Sequence, residues 1–145
     1  EYGGHGTHVV GTLAGHRAQD GITESEGFSD GVAKDAKVAF MDLSGGGIGI
    51  SDPGAKKLLK TGRKAGAWIH SASWGSTITF YRYDSEAQRI DEYIHKNQDM
   101  LFVVGAGNEG RCNSQRNLRS PALGKNVLSV GAGHSSGMDL LGGLV

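Results

Sequence analysis

The chain has 145 residues, enough for one domain with a substantial core. Its 15 Lys and Arg balance 15 Asp and Glu, so composition implies no basic face and argues against nucleic-acid binding. No apolar run approaches the roughly eighteen residues of a membrane span, and the single Cys112 excludes an internal disulfide.

The first element is read at Gly4-His5-Gly6-Thr7-His8-Val9-Val10-Gly11-Thr12. It places an imidazole at the start of a helix, among glycines that let other backbone approach closely. Val38–Leu43 then reads as a buried strand, nearly continuous in apolar or small residues. Asp52-Pro53 supplies an N-cap and a first-turn proline for a helix with Ala55, Leu58, Leu59 and Ala65 on one face and Gly66 as its stop. Ala67–Trp74 is a second strand. Ser85-Glu86-Ala87-Gln88 has the capping-box pattern, opening a helix to about Gln98 with Ala87, Ile90 and Ile94 as its apolar stripe. Met100–Ala106 and Val127–Ala132 are the last two strands. Strand starts lie about thirty residues apart, the length of a βαβ unit, so the fold class is α/β with a parallel sheet. The connection from Arg111 to Leu123 is polar, contains Pro121 and lacks helical periodicity, which marks a functional loop. No repeat, linker or second domain is visible.

The chain's 25 glycines are more than twice the average share of about 7% and cluster at the ends of apolar runs. Parallel sheets bind ligands beyond the carboxyl ends of their strands. Asp42–Gly47, Ser73–Ser76 and Gly105–Gly110 all lie there, so they are expected to line one crevice for an extended ligand.

Each motif has a plainer reading. His5 and His8 are three residues apart, yet no Glu stands between them in a metalloprotease arrangement and no third ligand is evident. Gly105-Ala106-Gly107-Asn108-Glu109-Gly110 fits a dinucleotide fingerprint, but the residues after it make a poor helix and no acid follows at the required distance. The other role for this loop is an amide donor, Asn108, aimed at developing negative charge. Gly133-His134-Ser135-Ser136-Gly137 matches a nucleophile elbow, but no His follows it. Cys112 sits in a polar loop with no nearby His, an unpromising setting for a nucleophile.

Taken together, the blocks resemble one enzyme family. Gly4–Thr12 is similar to the catalytic-histidine signature of subtilisin-like serine proteases. Ser73-Trp74-Gly75 resembles their substrate-binding strand end, and Val103–Gly110 their oxyanion-hole segment. Ser120-Pro121-Ala122 through Ala132 looks like the strand that follows, and Gly31-Val32-Ala33 with Ala36-Lys37-Val38 like the stretch leading into a core strand. Met41–Gly47 and Ser73-Trp74-Gly75 look closest to large alkaline subtilases that carry a C-terminal β-domain. The blocks cover the chain to about Ala132, and residues 133–145 match poorly.

The resemblance implies a three-layer, mostly parallel sheet with helices on both faces, and a single catalytic domain that residues 1–145 cover only in part. It implies His5 as general base, His8 as a helix-packing residue, and Asn108 as oxyanion donor. Gly45, Gly46, Gly47, Ser73, Trp74, Gly75, Gly105, Ala106 and Gly107 would offer backbone to a bound peptide. It implies protein or peptide substrates, secretion and a monomer. No cofactor is identified; structural calcium follows from the resemblance alone, and no ligand cluster is evident. The family's triad acid and its Gly-Thr-Ser-Met-Ala serine segment are absent, so these residues by themselves are expected to be inactive. The alternative is a non-catalytic homologue that keeps a peptide cleft. Arg119, two residues before Pro121, would favour acidic side chains before the scissile bond if it points inward; if outward, it is a solvated surface charge.

Overall fold

A computed structural model of the chain describes residues 3–16, 30–44, 50–76, 81–108 and 118–133. Its elements are α1 (His5–Ala14), α2 (Ala55–Lys64), β1 (Ile69–Ala72), α3 (Ser85–Lys96), β2 (Leu101–Gly105) and β3 (Leu128–Val130). The strands form a parallel sheet in the order β1-β2-β3. Ala72 pairs with Val104, and Gly105 with Val130, so the carboxyl ends of all three strands meet at one edge.

One face of this sheet is covered. Phe102 and Val104 of β2 and Ala72 of β1 are buried against Ala55 and Leu59 of α2 and Ile90 and Ile94 of α3. The two helices bury apolar positions at helical spacing and turn their charges outward. The opposite face carries Ile69, Leu101, Leu128 and Val130, all exposed, with Ile69 at 63%. The parallel α/β class read from the sequence is therefore present, with α2 and α3 as one helical layer.

Several boundaries differ from the sequence expectation. The N-cap of α2 is Gly54, at φ 81°, because the Asp52 carboxylate accepts the Gly54 N–H and closes a local turn one step before the helix. Ala65 is the C-cap, and Gly66 at φ 92° ends the helix as expected. At α3 the cap is Asp84, not Ser85: its carboxylate accepts from the N–H groups of Glu86 and Ala87 at 3.1 and 3.0 Å. An ionised carboxylate one residue earlier prevails over a serine hydroxyl.

Residues 38–43 form no strand. Val38 and Phe40 are exposed, and no described strand pairs with them. Apolar content supplies the tendency to extend, but a strand exists only where a neighbour takes its backbone hydrogen bonds.

Two aspartates tie α3 to the segment before β3. Asp91 is buried and accepts from Lys125 N and Asn126 N at 2.8–2.9 Å, and from the Tyr83 hydroxyl at 2.8 Å. Its carboxylate replaces lost water with fixed donors, the condition for burying a charge. Tyr83 responds: the hydrogen bond to Asp91, then burial, pushes its phenol above the usual range. Asp84 also accepts from the Ser120 hydroxyl, which fixes the turn containing the cis Ser120-Pro121 bond.

Candidate active site

Three segments meet at the carboxyl edge of the sheet. The first is the exit of β1. His5, on the first turn of α1, donates from Nε2 to the Ser73 carbonyl at 3.0 Å, 68 residues away in sequence. A carbonyl only accepts, so Nε2 carries the proton in this contact. Gly4, at φ 66°, turns the chain into α1 and so sets where His5 begins the helix. His8 is exposed, and no residue of α1 is buried among the described residues.

The second segment is the exit of β2. Gly107 adopts φ 127°, a conformation that L side chains rarely take, and the turn it makes presents Asn108 at the surface. The Ala106 N–H bonds to the Val130 carbonyl, so β3 fixes the base of this loop. A Cβ at Gly105 would meet nothing within 4 Å, so that position has open space beside it.

The third segment is the 118–121 turn. Ser76 N bonds to Ser120 O at 2.8 Å, Tyr81 N to Leu118 O at 3.2 Å, and Arg119 N to Ala106 O at 3.4 Å. These bonds lace the turn to both strand exits. At Gly75 a Cβ would lie 3.1 Å from Ser120 O and 3.2 Å from Arg119 Cβ, so a side chain there would press on the turn packed against it. Arg119 is half-buried over Gly75 and donates to the Ser76 carbonyl at 3.4 Å. Trp74 packs its indole against the core, leaving its backbone as the part a ligand can use.

The edge therefore gathers Ser73, Trp74, Gly75, Gly105, Ala106, Gly107 and Asn108, with His5 bonded to the first of them. Gly45, Gly46 and Gly47 lie outside the described residues, as does Cys112. At Asp42, just before those glycines, the Ser44 N–H and hydroxyl hold the carboxyl below the usual range. Among the described residues no group of three or more His, Cys, Asp or Glu is placed to hold a metal ion. No helix among them is long and apolar enough to cross a membrane.

With this geometry in place, the comparisons are direct. The model of the subtilase family, peptidase S8, matches residues 1–138. The chain belongs to the subtilase family. It is 38% identical over 141 residues to the serine protease/ABC transporter B family protein tagD of Dictyostelium discoideum, covering 89% of this chain and 7% of that protein. It is 31% identical over 140 residues to alkaline protease 1 of Aspergillus clavatus, covering 92% of this chain and 29% of that one. Subtilisin-like protease 6 of Trichophyton verrucosum is likewise 31% identical, with 29% of its length covered. The chain thus spans less than a third of the curated relatives it matches. No solved structure matches it significantly.

Sequence reasoning missed the roles of Asp84 and Ser120, which are bonded to each other in the third wall of the crevice, and of Asp91, which holds the segment before β3. The only local signal was an aspartate immediately before a capping-box pattern.

Proposed function

We propose that the chain is part of the catalytic domain of a secreted, monomeric serine endopeptidase, with His5 as general base and Asn108 as oxyanion donor. The observation that carries this reading is the bond from His5 Nε2 to Ser73 O, made at the sheet edge from which the Asn108 loop also leaves. Ser73-Trp74-Gly75 and Gly105-Ala106-Gly107 are two adjacent strand exits, and Gly45-Gly46-Gly47 is the further glycine run expected beside them. An extended peptide added to such an edge exchanges main-chain hydrogen bonds with it, and the scissile carbonyl lies between imidazole and carboxamide.

The chemistry assigns the tautomer. In the present contact Nε2 donates to Ser73 O, a resting arrangement for the ring. To act, Nε2 must turn its lone pair to a serine hydroxyl, with the ring proton moved to Nδ1 and held by a carboxylate. Both partners would come from parts of the protein outside these residues, so residues 1–145 alone would not turn over substrate.

The test is a fluorophosphonate probe on the whole protein, which labels only an activated serine. Labelling that is lost on His5→Ala supports the reading. No labelling, or labelling indifferent to His5, refutes it and leaves a non-catalytic homologue.

A further inference from the structure

The chain's net charge of zero conceals a strongly basic face on α2. Lys56, Lys57, Lys60, Arg63 and Lys64 occupy five of its ten positions, and the helix holds no acid. At about 100° per residue these five fall within an arc of about 120°, along a helix about 15 Å long. Arg63 is engaged, paired with Asp99 and stacked over Trp68. The four lysines are exposed, and among the described residues none forms an ion pair.

These lysines border a groove. Lys56, Lys57 and Lys60 of α2 and Arg89 of α3, with Pro53, Gly54 and Ala55, line an open cavity of about 450 Å³. Glu86 lies beside it, paired with Arg89 at 3.4 Å; burial and the Asp52 carboxylate push the Glu86 carboxyl above its usual range. Four cations therefore line an open surface against two neighbouring carboxylates, Asp52 and Glu86, which leaves it net positive.

The topology puts this groove at the working edge of the sheet. The last turn of α2 leads into β1, and Arg63 pairs with Asp99 just before β2, so the C-terminal end of α2 lies at the amino edge. Its N-terminal half, with Lys56, Lys57 and Lys60, therefore points to the carboxyl edge. The N-cap of α3, Asp84, is bonded to Ser120 in the crevice wall, so Arg89 on the second turn of α3 belongs to the same end.

We infer that this groove is a secondary binding site for an acidic segment of the protein substrate, lying outside the residues around the scissile bond. The inference rests on the peptidase reading and adds a substrate class to it: proteins whose cleavage site is accompanied by a run of Asp or Glu. An open cavity at the same end of the sheet as the peptide crevice suits an extended acidic chain better than a flat anionic surface does. Charge attraction there raises encounter rate and lowers KM, while the reacting groups are untouched.

The experiment uses the whole protein and two peptides with the same uncharged cleavable core, one extended by glutamates and the other by glutamines, on either side. In the wild type the glutamate peptide is expected to have a KM lower by about tenfold, an advantage lost at about 1 M salt, where the Debye length is about 3 Å. In the Lys56→Glu/Lys57→Glu/Lys60→Glu variant the ratio between the two peptides should fall to about one or invert. In the corresponding triple Arg variant it should persist. A wild-type ratio of one, with the core still cleaved, overturns the inference while leaving the peptidase reading intact. If neither peptide is cleaved, the peptidase reading fails, and anisotropy of the labelled glutamate peptide decides the groove on its own. Binding lost on charge reversal supports the site; equal binding overturns it. Binding of anionic vesicles or a sulfated polysaccharide without binding of the acidic peptide also overturns it.

Discussion

Replacing His70 by phenylalanine is expected to flatten the acid limb of the protein's stability curve. His70 sits on β1, on the helix-covered face of the sheet, with its ring stacked on Phe102 at a centroid distance of 4.9 Å and 17° between planes. Its Nε2 is buried and has no hydrogen-bond partner among the described residues. Burial lowers its pKa from 6.5 to about 4, because no partner compensates the desolvated charge. In the unfolded chain the ring takes its proton near 6.5, whereas in the native protein it does so only near 4. Between those values the unfolded state binds more protons, so stability falls as pH drops and stops falling, for this group, below the native value. The full window corresponds to about 3 kcal/mol. Phenylalanine keeps a flat ring against Phe102 and has no proton to gain. Urea unfolding of the whole protein and of the His70→Phe variant, compared from about pH 7.5 to about pH 4, isolates the effect, since carboxylates common to both cancel in the difference. The variant should gain on the wild type by about 3 kcal/mol as pH falls. At neutral pH it should be no less stable, because an orphaned buried nitrogen costs about 1–3 kcal/mol. A difference that does not change with pH, or a His70 resonance titrating at its ordinary value, refutes the reasoning.

The other predictions follow from the site and its supports. In the whole protein Asn108→Ala should lower kcat about 10²–10³-fold with little change in KM, the magnitude already established for subtilisin's own oxyanion donor; a mainly KM effect in steady-state kinetics would reject the role. Asp91→Asn turns an amide toward the N–H groups of Lys125 and Asn126 and should destabilise by about 2–3 kcal/mol, read from the shift in urea midpoint. Gly124→Ala attacks the same joint, since a Cβ there would lie 2.9 Å from Val127 Cγ1 and 3.0 Å from Asp91 Oδ1; unchanged stability would show that the joint yields. Arg119, held against Gly75 and Ser76, should favour acidic residues before the scissile bond; a peptide library cleaved preferentially after Leu would show that its charge does not face substrate.

The places where sequence and structure part have a common cause. The helix at His5, the stop at Gly66 and the stripe Ala87, Ile90, Ile94 were readable because each depends on residues within a few turns of one another. The strands β1, β2 and β3 were readable as apolar runs bounded by glycine, though each is shorter than its run. Residues 38–43 carry the same composition and form no strand, because pairing is a property of the neighbour. Gly75 was read as a residue for ligand approach; the structure adds that the Ser120 turn rests on it, and the two roles are compatible. A glycine looks the same in sequence whether the close approach comes from ligand or from the chain itself.

Charge followed the same division. Equal numbers of acids and bases implied no basic face, and the total was correct. Net charge is a sum, however, and helical periodicity sorts the lysines of α2 onto one arc while the acids lie elsewhere.

The sequence by itself determined the class of fold, the order of its elements and the family, because hydrophobic period, glycine stops and short motifs are local quantities. Tertiary structure alone decided that His5 meets Ser73 across 68 residues, that Asp84 braces the Ser120 turn while Asp91 holds the segment before β3, and that His70 Nε2 is buried with no hydrogen-bond partner among the described residues. Those facts depend on which distant backbone arrives beside a side chain and displaces its water, and no spacing along the chain encodes that.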